Sequence, residues 1–327
     1  MRIVFYGTPD FAVASLEALV ESGHEVVGVV TAPDKLGGRG GKRVLRSAVK
    51  GFAERRNLPL AQPRNLKAEA FAKTLDTWAP ELQVVVAFRM LPESVWAKPP
   101  LGTVNVHGSL LPAYRGAAPI HWSVINGERE TGVTVFFLRH AIDTGNVLLQ
   151  ARTPIGPEET TGDVYERLMR LGAETLIHAL DLIAAGQTEG TPQDDALASH
   201  APKLTRENTH VDWGLPAKQV HDFVRGLHPF PTAWTLHGER EVKVLRTRRH
   251  VSIEAPTRGD LMDRVTPGAL GLRTLEGRRH LTVVTGNSET LVIEEVKPAG
   301  SRRMSGIDFW NGLKTGDPQS FRRARTP

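Results

Sequence analysis

The chain has 327 residues, 40% hydrophobic and 24% charged, which are ordinary soluble-globular proportions and length enough for two domains with separate cores. Cysteine is absent, excluding disulfides, a thiolate nucleophile and Cys-ligated zinc. Charge is uneven: residues 1–200 carry a net −2 and residues 201–327 a net +7, so the last third is either a grip for a polyanion such as nucleic acid or a generally basic, solvated surface.

No apolar run reaches the roughly 18 residues that span a bilayer. The opening MRIVFYGTPD has no signal-peptide pattern, so a cytoplasmic enzyme is expected. Arg2–Phe5 reads as a buried strand. Thr8 is placed to cap a helix whose first position is Pro9, with Phe11, Ala14, Ser15, Ala18 and Leu19 on one face and Gly23 at its end. Glu25–Val30 is a second strand, and this β-α-β opening predicts a parallel sheet with right-handed crossovers. After the first strand there is one glycine and no G-x-G-x-x-G, which argues against a nicotinamide cofactor.

Asp34–Lys50 is rich in glycine and base: Lys35, Arg39, Lys42, Arg43, Arg46 and Lys50 stand against one acid. Gly41-Lys42 only imitates a P-loop, since Leu36 lies five before Gly41 and Arg43 follows Lys42. Such a loop is either a solvated tether or a contact to a phosphate backbone.

The α/β alternation continues through helices at 47–56 and 66–78, a central strand at Leu82–Ala87, and a strand that carries Asn105 and His107. A helix follows at 118–126. Strands at Gly132–Leu138 and Val147–Arg152 flank Asp143, and a long amphipathic helix spans Asp163–Ala185. Gly186–Asn208 is turn-rich and reads as a linker. A short helix, Pro216–Leu227, and five short strands then suggest a small OB-like barrel. The predicted architecture is therefore α/β, a doubly wound, mostly parallel sheet followed by a small C-terminal OB-like β-barrel. Its boundaries are placed at 1–188 for the first domain, 189–206 for the linker, 207–315 for the barrel and 316–327 for a tail.

The candidate site is Val104–Pro119, VNVHGSLLPAYRGAAP, where a strand delivers Asn105 and His107 to a glycine- and proline-rich loop at the sheet edge where ligands bind. Asp143 adds a carboxylate from another strand-to-turn junction. An amide, an imidazole and a carboxylate suit attack of an amine on a carbonyl. The amide or the imidazolium would stabilise the oxyanion, and either the His or the Asp would take the proton. The spacing of His107, His121 and His140 matches no metal-ligand pattern.

The runs Asn105–Pro112, Tyr114–Pro119 and Ile142–Gly145 resemble the folate-dependent formyltransferases. Gly7–Phe11, Pro33-Asp34, Val211–Trp213, Pro229–Trp234 and Lys297–Gly300 extend the likeness almost end to end. The resemblance implies a 10-formyltetrahydrofolate donor, no metal, and initiator methionyl-tRNA as acceptor for initiation of translation, with a nucleotide-sugar amine as the alternative. It places the catalytic set on Asn105, His107 and Asp143. Folate contacts fall on Ser109, Leu110, Leu111 and Pro112, with Phe88, Met90 and Leu91 as a wall, and tRNA contacts on Arg39, Lys42 and Arg43. Where many members carry aromatic-Gly-x-x-Leu-Pro, Phe88–Pro92 is one residue shorter, with Arg89 in place of glycine. Nothing in the sequence requires more than a monomer.

Overall fold

The computed structural model describes residues 1–37, 43–249 and 266–322. Two compact units result. The first holds Met1–Pro119, Glu130–Pro154 and Tyr165–Ala201; the second holds Ile120–Arg129, Ile155–Val164 and the described chain from Pro202 on. No helix among the described residues is long and apolar enough to cross a membrane.

The chain opens with β1 (Arg2–Gly7), α1 (Asp10–Glu21), β2 (Glu25–Val30), β3 (Lys35–Gly37) and β4 (Arg43–Leu45). Next come α2 (Ala48–Arg55), β5 (Leu60–Ala61), α3 (Glu69–Trp78), β6 (Leu82–Val86), α4 (Glu93–Trp96) and β7 (Thr103–His107). Then follow β8 (Arg115–Gly116), α5 (Pro119–Ile125), β9 (Glu130–Phe137), β10 (Val147–Pro154), α6 (Thr161–Ala184) and β11 (His200–Ala201). The sheet runs β10-β9-β7-β6-β1-β2-β5. From β5 to β7 neighbours pair in parallel, and β9 and β10 are antiparallel. All five residues of β6 are buried, as expected of a central strand covered on both faces. The order reverses between β1 and β6: the chain builds outward through β2 on one side and through β6 and β7 on the other. That reversal opens a crevice at the strands' carboxyl ends.

The first helix starts one residue later than its sequence predicts. Pro9, extended at φ −81° and ψ 176°, is the N-cap and makes no side-chain cap bond. The Phe11 N–H instead donates to the Tyr165 hydroxyl at 2.9 Å, so a distant residue satisfies a donor that the helix start leaves open. The helix ends at Glu21, where the Ser22 hydroxyl donates to the Leu19 carbonyl at 2.7 Å; Gly23 lies outside it. In α2 the cap is local, the Ser47 hydroxyl accepting from the Lys50 N–H at 3.0 Å. Helix α3 begins at Glu69 rather than 66 because the Asn65 side chain turns the chain by accepting from the Lys67 N–H.

The second unit contains α7 (Ala217–Gly226), β12 (Ala233–His237), β13 (Arg240–Arg249), β14 (Leu270–Leu275), β15 (Arg278–Val284), β16 (Thr290–Pro298), β17 (Met304–Ser305), α8 (Gly306–Asn311) and β18 (Phe321–Arg322). Five of these strands sit where the pattern predicts them; the two-residue β17 and β18 are too short to show a period. The antiparallel order is β14-β15-β16-β13-β12-β18. The ends approach: the Leu270 N–H donates to the Gln319 carbonyl and the Phe321 N–H to the Gly268 carbonyl, so the barrel is nearly closed and part of each edge is covered. Register shifts at 244–247 on β13 bend that strand around the closure. Inside, Val220 and Val224 of α7 pack with Val242, Leu281 and Ile293, and Trp213 stacks on Phe321 at 5.5 Å.

Candidate active site

Alternation along β7 sets the site. Residues two apart share a face of a strand, so Asn105 and His107 share one, at its carboxyl end. Asn105 is half-buried and pairs in register with Val85 and Phe136; His107 is buried. The His107 ring meets Phe136 edge-on at 6.4 Å, and its Nε2 lies 2.9 Å from the Tyr114 carbonyl oxygen. A carbonyl only accepts, so Nε2–H is the donor and carries the proton. The remaining nitrogen, Nδ1, faces Asp143 Oδ2 at 3.8 Å. At that distance an imidazolium is paired with the carboxylate without being locked to it by a hydrogen bond.

Asp143 reaches this position with a left-handed backbone, φ +55°, and Tyr114 likewise at φ +62°. Non-glycine residues adopt that region at a cost of order 1–3 kcal/mol each, and only where the surroundings impose it. The imposing contacts are visible: the Gly116 N–H donates to Asp143 Oδ2 at 2.9 Å. Gly116 itself has φ +126°, and a Cβ there would stand 2.7 Å from the Ala201 carbonyl oxygen. At Gly145 a Cβ would lie 1.5 Å from the Phe137 carbonyl oxygen. The sequence needs glycine at both positions to bring the Asp143 turn against the sheet.

The loop between His107 and Tyr114 is organised from β9 and β10. The Thr134 hydroxyl donates to the Ser109 carbonyl at 2.7 Å and accepts from the Leu111 N–H at 3.0 Å; Gln150 Nε2 donates to the Leu111 carbonyl at 2.8 Å. Ser109 is fully buried, and its hydroxyl donates to the Ala113 carbonyl at 2.7 Å. Leu111 is buried, while Leu110 and Pro112 are half-buried. Of the wall residues, Leu91 is buried in the core beside Tyr6 and Val85, Met90 is exposed, and Phe88 packs on Tyr6 at 5.6 Å.

Phe88 also lines a cavity of about 480 Å³ with Thr8, Ala32, Pro33, Asp34, Lys35, Arg64 and Arg89. These residues follow β1, β2, β5 and β6, so the cavity sits at the reversal point of the sheet, on the same carboxyl edge as His107. Arg89 donates to the Arg64 carbonyl at 3.0 Å and to the Pro63 carbonyl, and its guanidinium lies over the Phe88 ring. Asp34 is occupied by Lys50 at 2.6 Å and Gln62 at 3.0 Å. Those two donors hold its carboxyl below the usual carboxylate range. The net character of the cavity is thus apolar on one wall and cationic on the other.

The basic stretch takes a form the sequence did not indicate. Its described flanks pair as an antiparallel ribbon, Lys35 with Leu45, Leu36 with Val44 and Gly37 with Arg43. Arg43 is exposed on it, and so are Leu36, Val44 and Leu45. Arg39 and Lys42 lie outside the described residues. No group of three or more His, Asp or Glu that could hold a metal ion occurs among the described residues.

Arg115 and Gln193 are the site-bordering residues that chemical reasoning on the sequence passes over. Arg115 lay inside the VNVHGSLLPAYRGAAP run without an assigned role, whereas Gln193 falls in the stretch read as a linker and carries no local signal.

The chain as a whole matches known proteins closely. Residues 1–180 match the Formyl transferase family and residues 203–314 the Formyl transferase, C-terminal domain family. The chain belongs to the formyl transferase family. It is 47% identical over 319 residues to the methionyl-tRNA formyltransferase of Porphyromonas gingivalis, covering 96% of each chain. It is 43% identical to that of Moorella thermoacetica, covering 95% of this chain and 96% of the relative. Among solved structures, the methionyl-tRNA formyltransferase from Clostridium thermocellum matches with a TM-score of 0.52 at 14% identity, over 76% of this chain and 94% of that one. The sugar 3N-formyl transferase WlaRD matches with a TM-score of 0.64 at 16% identity, over 92% and 99%. At those identities the structural likeness is one of fold.

Proposed function

We propose that this chain is a methionyl-tRNA formyltransferase that moves the formyl group of 10-formyltetrahydrofolate to the α-amine of methionine on initiator tRNA. The observation that carries the reading is the His107–Asp143 arrangement: Nε2 committed to the Tyr114 carbonyl, Nδ1 turned to a carboxylate at 3.8 Å, and Asn105 beside it on the same strand face. The relatives at 40–52% identity support the tRNA acceptor over a nucleotide-sugar amine.

In this reading Asn105 donates an amide N–H to the formyl oxygen as negative charge develops there, and His107, protonated at Nδ1, donates beside it. Donors fixed in advance cost no reorganisation at the moment of reaction, and one such donor is typically worth about 3–4 kcal/mol. Asp143 holds the imidazolium and accepts the proton that the attacking amine must lose; as the tetrahedral intermediate collapses, the bond from the formyl carbon to N10 of the folate breaks and N10 takes up that proton, leaving as tetrahydrofolate. The cavity suits the donor: Phe88, Ala32 and Pro33 offer an apolar wall to a flat ring system, and Lys35, Arg64 and Arg89 offer cations to a carboxylate tail. Ser109–Pro112 form the adjoining wall by backbone and apolar contact.

Arg39, Lys42 and Arg43 hold the acceptor stem, and the basic barrel from about residue 207 to 315 holds the tRNA body. The trio comes from one chain, so no second copy is needed to complete the site, and the enzyme is expected to act as a monomer in the cytoplasm, where charged tRNA is found. Incubation with 10-formyltetrahydrofolate and charged initiator tRNA, with an amino-sugar nucleotide as competitor, tests the reading. Formylmethionine formed without inhibition by the competitor is the expected result; formylation of the sugar nucleotide alone would overturn it.

A further inference from the structure

We propose that Gln193, held by Arg115, is a positioning residue that sets the Asp143 carboxylate against His107; the inference rests on the catalytic reading of Asp143 above. Gln193 Nε2 donates to two backbone carbonyls of one turn, Asp143 at 2.9 Å and Gly145 at 2.8 Å. Its Oε1 accepts from Arg115 Nε at 3.1 Å and from an Arg115 terminal nitrogen at 2.8 Å. That leaves the amide no second orientation: flipped, it would turn an oxygen toward two carbonyls and an N–H₂ toward a guanidinium. Arg115 is buried, and the same terminal nitrogen donates to the exposed Asp195 at 2.7 Å.

The two ends of this clamp belong to the two halves of the site. Arg115 follows Tyr114, whose carbonyl fixes the tautomer of His107, and precedes Gly116, whose N–H holds Asp143 Oδ2. Gln193 fastens the backbone of Asp143 itself. The segment carrying Gln193 is strapped at both sides. Thr191 and Val147 exchange backbone bonds at 2.7 and 2.8 Å, and Asn146 Nδ2 donates to the Glu189 carbonyl at 2.7 Å. Further on, the Ser199 hydroxyl accepts from the Tyr114 N–H, and β11 pairs with β8. A left-handed, non-glycine backbone at half-buried Asp143 needs its surroundings to hold it, and the Gly116 contact fixes only the side chain. Two donors from a braced amide supply the external constraint that keeps it at φ +55°.

The test separates positioning from simple support of the fold. Gln193→Ala removes the clamp. Gln193→Glu keeps the acceptor for Arg115 but sets a carboxylate oxygen against the two carbonyls in place of the Nε2–H donors; the melting temperature of each variant shows which stays folded, and the folded variant decides. Expected for both is a fall in kcat of about 10- to 100-fold, the scale of a sub-ångström to ångström misplacement of a reacting group. KM for 10-formyltetrahydrofolate and for methionyl-tRNA should hold within about twofold, since both Nε2 hydrogens and Oε1 of Gln193 are already taken by protein partners. In an Asp143→Asn background the same change should cost less than about twofold, because a residue acting only through Asp143 has nothing left to position. Unchanged kcat in Gln193→Glu, or an equal loss in both backgrounds, overturns the inference. Where the Asp143→Asn rate is too low to read, the kcat-against-KM split decides. Full activity of Asp143→Asn would instead remove the catalytic reading beneath it.

Discussion

At the scale of single residues, function divides between groups that meet the reacting atoms and groups that hold them. His107 is expected to be indispensable to turnover. His107→Ala should lower kcat by roughly 10²- to 10³-fold, the usual cost of losing a transition-state donor, with the KM for tRNA nearly unchanged. Asn105→Ala should show the same signature, and steady-state kinetics with both substrates varied would check it. Full turnover by His107→Ala would refute the mechanism. As candidates, Asn105, His107 and Asp143 were legible in sequence because His107 and Asp143 stand at glycine turns and Asn105 shares the His107 face of one strand. Gln193 was not. Its role comes from hydrogen bonds spanning 48 and 50 residues, and no local pattern encodes them.

At the scale of elements, the ribbon of β3 and β4 bears on the acceptor. It projects Arg43 with three exposed apolar side chains, which fits phosphate contact beside apolar packing better than a solvated tether. Lys42→Ala combined with Arg43→Ala should weaken tRNA binding and reduce the slope of log affinity against log salt by about 1–2, since each phosphate contact contributes close to one. Filter binding across a salt series measures it, and an unaltered slope would return the stretch to a solvated role. Gly116→Ala tests the turn beside the proposed catalytic trio. A Cβ 2.7 Å from a backbone oxygen at φ +126° forces β8 away from β11, and kcat should fall together with a lower Tm. Strands were easy to foresee where both faces are buried and apolar, as in β2 and β6. Helix starts were missed by one residue where the cap is tertiary, as with Tyr165 over Phe11, and by three where one side chain turns the chain ahead of the helix, as Asn65 does before α3.

At the scale of the whole molecule, stability should depend on pH through buried histidines. His221 is buried, its Nδ1 3.0 Å from the Thr247 hydroxyl and its Nε2 3.5 Å from Glu158. Burial lowers its pKa and outweighs the raising effect of Glu158; Arg225 pushes the same way as burial. A group with a depressed folded pKa is neutral in the fold and binds a proton on unfolding. Its contribution is therefore whole above the unfolded value of about 6.5 and is lost as pH falls below it. Between pH 7.5 and 5.5 the Tm should drop, and His221→Gln should drop less over the same interval by calorimetry. In the barrel core, Leu281 is fully buried, and Leu281→Ala should cost about 2–5 kcal/mol by denaturant unfolding.

Composition and period alone determined that the chain has a parallel α/β body and a strand-rich basic third, because burial on two faces, burial on one face and turn chemistry each leave a local mark. The same local marks exposed Asn105, His107 and Asp143, since strand ends and glycine turns are where a sheet offers its chemistry. What the tertiary structure alone decided is which nitrogen of His107 faces Asp143, how Asp143 is held left-handed, and which bonds tie Glu189, Thr191, Gln193 and Ser199 to the segments around it. Those depend on hydrogen bonds between residues far apart in the chain. Such bonds form only once the sheet has brought their partners together.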